Sequence, residues 1–315
     1  MTKVIFMGTP QFSVPILEGL VQAGYEIAAV VTQPDRVVGR KQKLLYSPVK
    51  EYALQQNLTI YQPEKLTHSS ELETLIGLKA DLLITAAYGQ FLPTKLLQSV
   101  QIAALNVHGS LLPRNRGGAP IQRAIMNGDS ITGITIMYMV AQMDAGDIIS
   151  QQSVPIADTD TAGSLFDKLS YVGRDLLLQT LPQVIAGTNQ RQVQDESLVT
   201  ITPNIAPEEE QINISQPALK INRQVRGLNP DPGAYLWLNG VRTKVFQTTV
   251  ADETTDLNPG QIVHKSKKQL AIAAGEHSVI YLEQIQPAGK PLMSIAAFLN
   301  GKGKDFYIGQ QIIQK

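Results

Sequence analysis

From the N-terminus to Gly187, short apolar runs alternate with stretches whose apolar residues recur at helical spacing. Residues 3–7 (KVIFM) are one such run and predict a strand. The GTPQF stretch behind it opens a helix, with Thr9 as its cap and Pro10 at its first position. Val14, Leu17, Leu20 and Val21 then repeat every three or four residues until Gly24, the spacing of one buried helix face. Residues 25–32 (YEIAAVVT) read as the next strand. Strand, helix, strand in that order implies a parallel sheet with right-handed crossovers. The rhythm continues with a helix opened by Ser47 and Pro48, a strand at 58–61, a helix at 70–78, and the apolar strand ADLLITAAY ending at Tyr88 and Gly89. Phe91, Leu92 and Pro93 begin a further helical turn. Strands follow at 103–108, 132–140 and 147–156, with a helix at 119–127 between the first two. A long amphipathic helix carrying Leu165, Leu169, Val172, Leu176, Leu177 and Leu181 closes this half.

The pattern then changes. Residues 187–210 are polar, contain two prolines and show no sustained period, as a linker would. Beyond one helix in QPALKINRQVRGLN, short strands recur at turn-sized intervals: AYLWL, the Asn239-Gly240 turn, VRTKVFQTTV, GQIVHK, QLAIAAG and SVIYLEQIQ. That is the pattern of a small antiparallel barrel, for which an oligonucleotide-binding (OB-like) type is one natural solution and a β-domain of no special function another. The expected fold class is α/β, a doubly wound, mostly parallel sheet followed by an OB-like β-barrel. The expected boundaries are a first domain over 1–188, a linker over 189–208 and a second domain over 209–315.

Composition excludes more than it selects. A chain of 315 residues with 43% hydrophobic and 17% charged residues is ordinary for a globular protein of two domains. No apolar run is long enough to span a bilayer, and a strand beginning at Lys3 leaves no room for a leader, so a cytoplasmic protein with no membrane partner is expected. Zero cysteines exclude disulfide and thiolate chemistry, and the four scattered histidines lack metal-ligand spacing, so no metal is expected. Gly8 lacks the companion glycines of a dinucleotide fingerprint. A net charge of zero argues against non-specific coating of nucleic acid, but 27 basic residues balance 27 acidic ones unevenly. Arg36, Arg40, Lys41 and Lys43 crowd a loop longer than its connection requires, which is either functional or a solvated loop. The C-terminal third, with Arg242, Lys244, Lys265, Lys267 and Lys268, is mildly basic.

The densest chemistry lies in residues 103–147. Asn106 and His108 interrupt an apolar strand two residues apart, so their side chains point the same way. Asp144 follows another strand in a Met-Asp-Ala-Gly-Asp turn. Amide, imidazole and carboxylate can polarise a carbonyl, move a proton and orient the mover, which is what acyl transfer requires. An Asn-x-His pair is also a common satisfied structural pair, and spacing alone leaves both readings open. Tyr88 and Phe91 are equally open between core packing and pocket lining.

With these residues laid out, the chain resembles the 10-formyltetrahydrofolate-dependent formyltransferase superfamily over almost its whole length. The resemblance runs through FMGTP, VVTQPDR, GRKQKLLYSPVK, AAYGQFLP, NVHGSLLPRNRGGAPIQRAI, GITIMYMVAQMDAGDII, DTAGSLFDKL, QDESLVT and QPAGKPLM. The basic TQPDR loop and the second domain resemble the branch acting on initiator tRNA, since the short purine-pathway members lack that domain. The resemblance implies a Rossmann-like catalytic domain binding 10-formyltetrahydrofolate as cosubstrate, and a barrel that helps to hold the tRNA. It implies formyl transfer to the α-amine of methionyl-initiator tRNA, for translation initiation; apart from the resemblance, a monomer is expected. Asn106, His108 and Asp144 would be catalytic, and Ser110, Leu111, Leu112 and Pro113 part of the folate site. Beside the resemblance, the apolar ring of Phe91, Leu92 and Met139 offers a slot for the flat pterin, with Tyr88 and Gly89 also expected at the cofactor. The basic loop and the barrel's basic residues would meet the tRNA. Two departures from the family pattern stand out: Asn115 where relatives often carry an aromatic, and Asp231-Pro232 in place of a commoner Trp-Pro. The rival readings are a formyl transferase for an amino sugar-nucleotide or a ribotide, a formyl-folate hydrolase, and a binding module without turnover.

Overall fold

The computed structural model describes residues 1–38 and 43–313, with the backbone alone at Val38 and Lys43. Arg40 and Lys41 of the basic loop lie outside the described residues. The chain divides into two compact units. One comprises residues 1–120, 131–155 and 166–202, the other residues 121–130, 156–165 and 203–315.

The first unit is built on a seven-stranded sheet: β1 (Lys3–Gly8), β2 (Glu26–Val31), β3 (Ile60–Tyr61), β4 (Leu82–Ala86), β5 (Ala103–His108), β6 (Ile131–Tyr138) and β7 (Ile148–Pro155). Their order across the sheet is β7-β6-β5-β4-β1-β2-β3. β1 to β5 run parallel, while β6 and β7 are antiparallel to their neighbours. The expected mostly parallel sheet is therefore present. All of β4 and nearly all of β1 is buried, which is why these strands read as continuous apolar runs rather than alternating ones. Register aligns Gly8 with Ala86 and Thr85 with Asn106, so the loops leaving β1, β4 and β5 emerge along one carboxyl edge, the usual ligand-binding edge of such sheets.

Two local expectations are corrected. The first helix is Ser13–Gln22, with Phe12 at its cap position and no side-chain cap, rather than one capped by Thr9. The Thr9 hydroxyl has a tertiary use instead: it donates to the Tyr88 carbonyl at 3.0 Å and accepts from the Gln33 amide at 3.3 Å, tying together the loops behind three strands. Phe91 and Leu92 precede the next helical turn, which is Thr94–Leu97 with Pro93 at its cap. By contrast, Ser47 caps the helix Pro48–Gln55 as its sequence suggests, accepting from the Lys50 amide at 3.1 Å. Part of the long basic loop pairs as two short antiparallel strands, Arg36–Val38 and Lys43–Leu45.

In the second unit, β8 (Tyr235–Leu238), β9 (Val241–Thr254), β10 (Ile262–Lys265), β11 (Leu270–Ala273) and β12 (Ser278–Pro287) form an antiparallel sheet in the order β8-β9-β12-β11-β10. Asn239 and Gly240 both have positive φ (46° and 77°) and join β8 to β9 in the two-residue turn that matches strand twist. The helix Ala218–Gly227 buries Ala218, Ile221 and Val225 in the same core as Leu236, Val245, Ile280 and Leu282. The chain's last described stretch hydrogen-bonds to both ends of the strand order: Asn239 N–H donates to Ile312 O at 2.6 Å, and Ile262 N–H to Gln310 O at 3.0 Å. Among the described residues, no helix is long and apolar enough to cross a membrane.

Candidate active site

Asn106 and His108 leave the end of β5 on one face, as their spacing predicts, and both reach the Asp144 carboxylate. Asn106 Nδ2 lies 3.5 Å from Oδ1 of Asp144, and His108 Nδ1 lies 3.7 Å from Oδ2. Both separations are longer than a strong hydrogen bond, so the three groups face one another with room to tighten around a reacting atom. His108 is 6% exposed, and its Nε2 sits 3.0 Å from the Asn115 carbonyl. A carbonyl oxygen only accepts, so Nε2 carries a hydrogen and Nδ1 is the nitrogen left to face Asp144. The Asn106 amide is oriented by Thr85, whose hydroxyl donates to Oδ1 at 2.8 Å and turns the NH2 group toward Asp144.

Asp144 is itself constrained. Its φ is +51°, a left-handed conformation that costs a non-glycine residue free energy. The Gly117 N–H donates to Oδ2 at 2.8 Å. Gly117 has φ +119°, and a Cβ there would sit 2.5 Å from the Thr202 carbonyl, so only glycine brings this N–H to the carboxylate. Gly146 likewise has no space for a Cβ, which would lie 1.8 Å from the Tyr138 carbonyl.

The loop following His108 is pinned from below. Thr135 donates its hydroxyl hydrogen to Ser110 O at 2.7 Å and accepts from the Leu112 amide at 3.2 Å. Gln151 Nε2 donates to Leu112 O at 2.9 Å. Ser110 is buried and its hydroxyl donates to Arg114 O at 2.7 Å. Leu112 is buried, while Leu111 and Pro113 are half-buried. The Leu112-Pro113 peptide is cis. Tyr88 and Leu92 belong to the core cluster beneath the sheet edge, with Met139 packed against it. Burial pushes the Tyr88 phenol up to about 12, so it stays protonated. Gly89 is exposed, and Phe91 is 67% exposed, which removes the core-packing reading for that ring.

Arg36 is exposed and pairs with Glu64 at 3.6 Å. In the second unit, Arg242 stacks its guanidinium 3.8 Å from the Tyr235 ring, and the ammonium groups of Lys244 and Lys265 donate to the carbonyls of Pro232 and Lys304. Lys267 and Lys268 are exposed. Among the described residues, no group of three or more His, Cys, Asp or Glu is placed to hold a metal ion. Sequence reasoning missed Thr85, Thr135, Gln151, Arg116 and Gln194, all of which act through partners far along the chain.

Residues 2–181 match the formyl transferase family and residues 204–303 its C-terminal domain, so the chain belongs to the formyl transferases. It is 59% identical to the methionyl-tRNA formyltransferase of Latilactobacillus sakei, covering 99% of this chain and 98% of that protein. The methionyl-tRNA formyltransferase of Pediococcus pentosaceus is 55% identical at the same coverage. Among solved structures, an N-formyltransferase from Helicobacter canadensis in complex with folinic acid and dTDP-3-aminofucose shares the fold at a TM-score of 0.69 and 20% identity, covering 91% of this chain and all of that one. HypX from Aquifex aeolicus in complex with tetrahydrofolic acid gives a TM-score of 0.65 at 16% identity, over 99% of this chain and 50% of that one.

Proposed function

We infer that the protein transfers the formyl group of 10-formyltetrahydrofolate to the α-amine of methionyl-initiator tRNA. Relatives of that name match over the full chain at 59% and 55% identity. The observation that carries the chemistry is the Asp144 carboxylate facing both Asn106 Nδ2 and His108 Nδ1 at the carboxyl edge of the sheet.

In the reaction the amine nitrogen attacks the formyl carbon. A free α-amine has a pKa near roughly 8, so a useful fraction is neutral at physiological pH. The carbonyl π-electrons move onto oxygen, and the resulting oxyanion takes hydrogen bonds from Asn106 Nδ2–H and from a hydrogen on His108 Nδ1, the Nε2–H being held by the Asn115 carbonyl. Such a donor is worth about 3 kcal/mol in comparable sites. Asp144 takes the proton lost by the attacking nitrogen, directly or through a water. The bond between the formyl carbon and folate N10 then breaks, and N10 receives the proton that Asp144 took up, directly or through the same water, leaving a formamide, tetrahydrofolate and the carboxylate restored. Ser110, Leu111, Leu112 and Pro113 form one wall of the folate site, and Tyr88, Gly89, Phe91, Leu92 and Met139 the pterin slot.

The tRNA is held by Arg36, Arg40, Lys41 and Lys43 near its acceptor end and by Arg242, Lys244, Lys265, Lys267 and Lys268 of the second domain. That domain, over 209–315, is an OB-like barrel joined through a 189–208 linker to a catalytic domain over 1–188. Support for a closed barrel comes from the backbone of the C-terminal stretch, which bonds to both outer strands of the sheet.

The test is formyl transfer from 10-formyltetrahydrofolate in four parallel reactions, with charged initiator tRNA, charged elongator tRNA, a dTDP-amino sugar, or no acceptor. Formylmethionine on initiator tRNA alone is expected. Formylated sugar would favour a sugar-nucleotide enzyme, and free formate without an acceptor would favour a hydrolase.

A further inference from the structure

Gln194 falls between the two family-matched regions, 2–181 and 204–303. It is buried, at 6% exposure. Its Nε2 donates to the Asp144 carbonyl at 2.8 Å and to the Gly146 carbonyl at 2.7 Å, so one amide grips the turn at the left-handed residue itself and again two residues further on. Its Oε1 accepts from Arg116 Nε at 3.0 Å. That contact fixes which end of the amide faces the turn, because an amide flipped the other way would set NH2 against a guanidinium and oxygen against two carbonyls.

Arg116 is 2% exposed, and the far side of its guanidinium is held by Glu196, at 2.8 Å and 3.3 Å. Its backbone pairs with the stretch Ile201–Thr202, and the next residue, Gly117, supplies the N–H on the Asp144 carboxylate. The same segment, residues 192–202, thus reaches Asp144 by two routes: through Gln194 to its backbone, and through the pairing with residues 116–117 to its carboxylate. A buried guanidinium in two-point contact with a carboxylate is a rigid anchor, which suits a support for a strained turn.

We propose that Gln194, held in register by Arg116, is a positioning residue that sets the Asp144 carboxylate against Asn106 and His108. This rests on the reading of Asp144 as a reacting group. Gln194 is not itself one of the reacting groups. It acts by keeping the turn at the height where the carboxylate can meet the amine's proton, and a misplacement of about 1 Å can cost on the order of a hundredfold in rate.

The test compares Gln194→Ala, Gln194→Glu, Asp144→Ala and the double variant Gln194→Ala with Asp144→Ala, in the full-length protein, by steady-state formylation and thermal melting. The glutamate variant is the discriminating one. It keeps an acceptor for Arg116 but turns an oxygen toward the Asp144 and Gly146 carbonyls. A purely structural role in satisfying Arg116 predicts that it is tolerated; a positioning role predicts that it is at least as impaired as the alanine variant. The expected result is a fall in kcat of roughly ten- to a hundredfold in both, with KM for tRNA and folate within about threefold, and no further loss when Gln194→Ala is added to Asp144→Ala. Wild-type kcat in Gln194→Glu would overturn the proposal, as would additive losses in the double variant or failure of both single variants to fold. A fully active Asp144→Ala enzyme would instead sink the underlying catalytic reading.

Discussion

The two units of this protein keep polar groups under opposite regimes. In the first, the carboxyl edge of a buried sheet carries Asn106, His108 and Asp144, each held by one or more hydrogen bonds: Thr85 donates to the amide oxygen, the nearby Asn115 carbonyl accepts from the imidazole, and Gly117 and Gln194 donate to the aspartate. In the second, an apolar core of Ile221, Leu236, Val245, Ile280 and Leu282 is wrapped by an antiparallel sheet, with Arg242, Lys267 and Lys268 exposed and Lys244 and Lys265 half-buried on backbone carbonyls. Chemistry needs fixed geometry and therefore burial with partners. Recognition of a polyanion by charge needs neither, since the phosphates set the register and water screens small misplacements. On the proposed function, one unit would concentrate its role in a few irreplaceable atoms, and the other would spread its role over many weak contacts.

That contrast makes quantitative expectations. The largest effects belong to the trio. Asp144→Ala, Asn106→Ala and His108→Ala should each lower kcat by about 10²–10³ with tRNA affinity nearly unchanged, the scale expected when a donor to a developing oxyanion or its proton acceptor is lost. Near-normal turnover in the His108 variant, measured in single-turnover formylation, would remove the imidazole from the chemistry. Gly117→Ala comes next. Its Cβ meets the Thr202 carbonyl at 2.5 Å at a φ of +119°, so the backbone must shift and carry its N–H off Asp144. Strain of this kind costs about 1–3 kcal/mol in stability, and kcat should fall with it. In the second unit, Ile280→Ala should cost about 2–5 kcal/mol of stability from the buried core, seen as a lower denaturation midpoint. Its kcat at saturating substrates should stay close to wild type. A kcat loss as large as that of Asn106→Ala would mean that the two units are not the separate regimes described.

How much of this was legible beforehand follows the same divide. The alternation of strand side chains was enough to bring Asn106 and His108 to one face, and the Asn239-Gly240 dipeptide was enough to define a hairpin, because both are short-range geometric rules. The supports of the site were not legible. Gln194 reaches Asp144 across 50 positions and Arg116 reaches Gln194 across 78, in a polar stretch whose bonds leave no hydrophobic period. Thr9 was misread for the related reason that a hydroxyl before a helix has a local use, capping, and here serves a tertiary one at the Tyr88 carbonyl. Phe91, apolar and next to the site, gave no sign that its ring would stand 67% exposed.

The smaller effects sharpen the picture of the second unit. Glu209 binds Arg123, with Oε2 accepting from Nη2 at 2.8 Å and also from the Ala206 amide at 2.9 Å. The hydrogen bonds from Arg123 and then from Ala206 hold its carboxyl down to about 2, from an ordinary 4.5. A carboxyl lowered on folding contributes stability that is complete above its unfolded value and is lost as pH falls through the folded one. The stability gap between the wild type and Glu209→Gln should therefore be constant above about pH 5 and narrow below pH 4.5, as read from denaturant midpoints. The carboxylate is partly open to solvent, so the gap will be modest.

The smallest expected effect is the one that tests charge-based recognition. Lys267 and Lys268 are exposed on the turn between β10 and β11 and have no role in the core. If each neutralises one tRNA phosphate, replacing either by alanine should weaken binding only slightly near physiological salt, yet reduce the slope of log affinity against log salt concentration by about one. The slope matters more than the affinity, because released counterions report the number of phosphate contacts whatever the sequence of the RNA. Unchanged slopes in both variants would take this turn out of the interface and leave Arg36 and the rest of its loop to carry the electrostatic share.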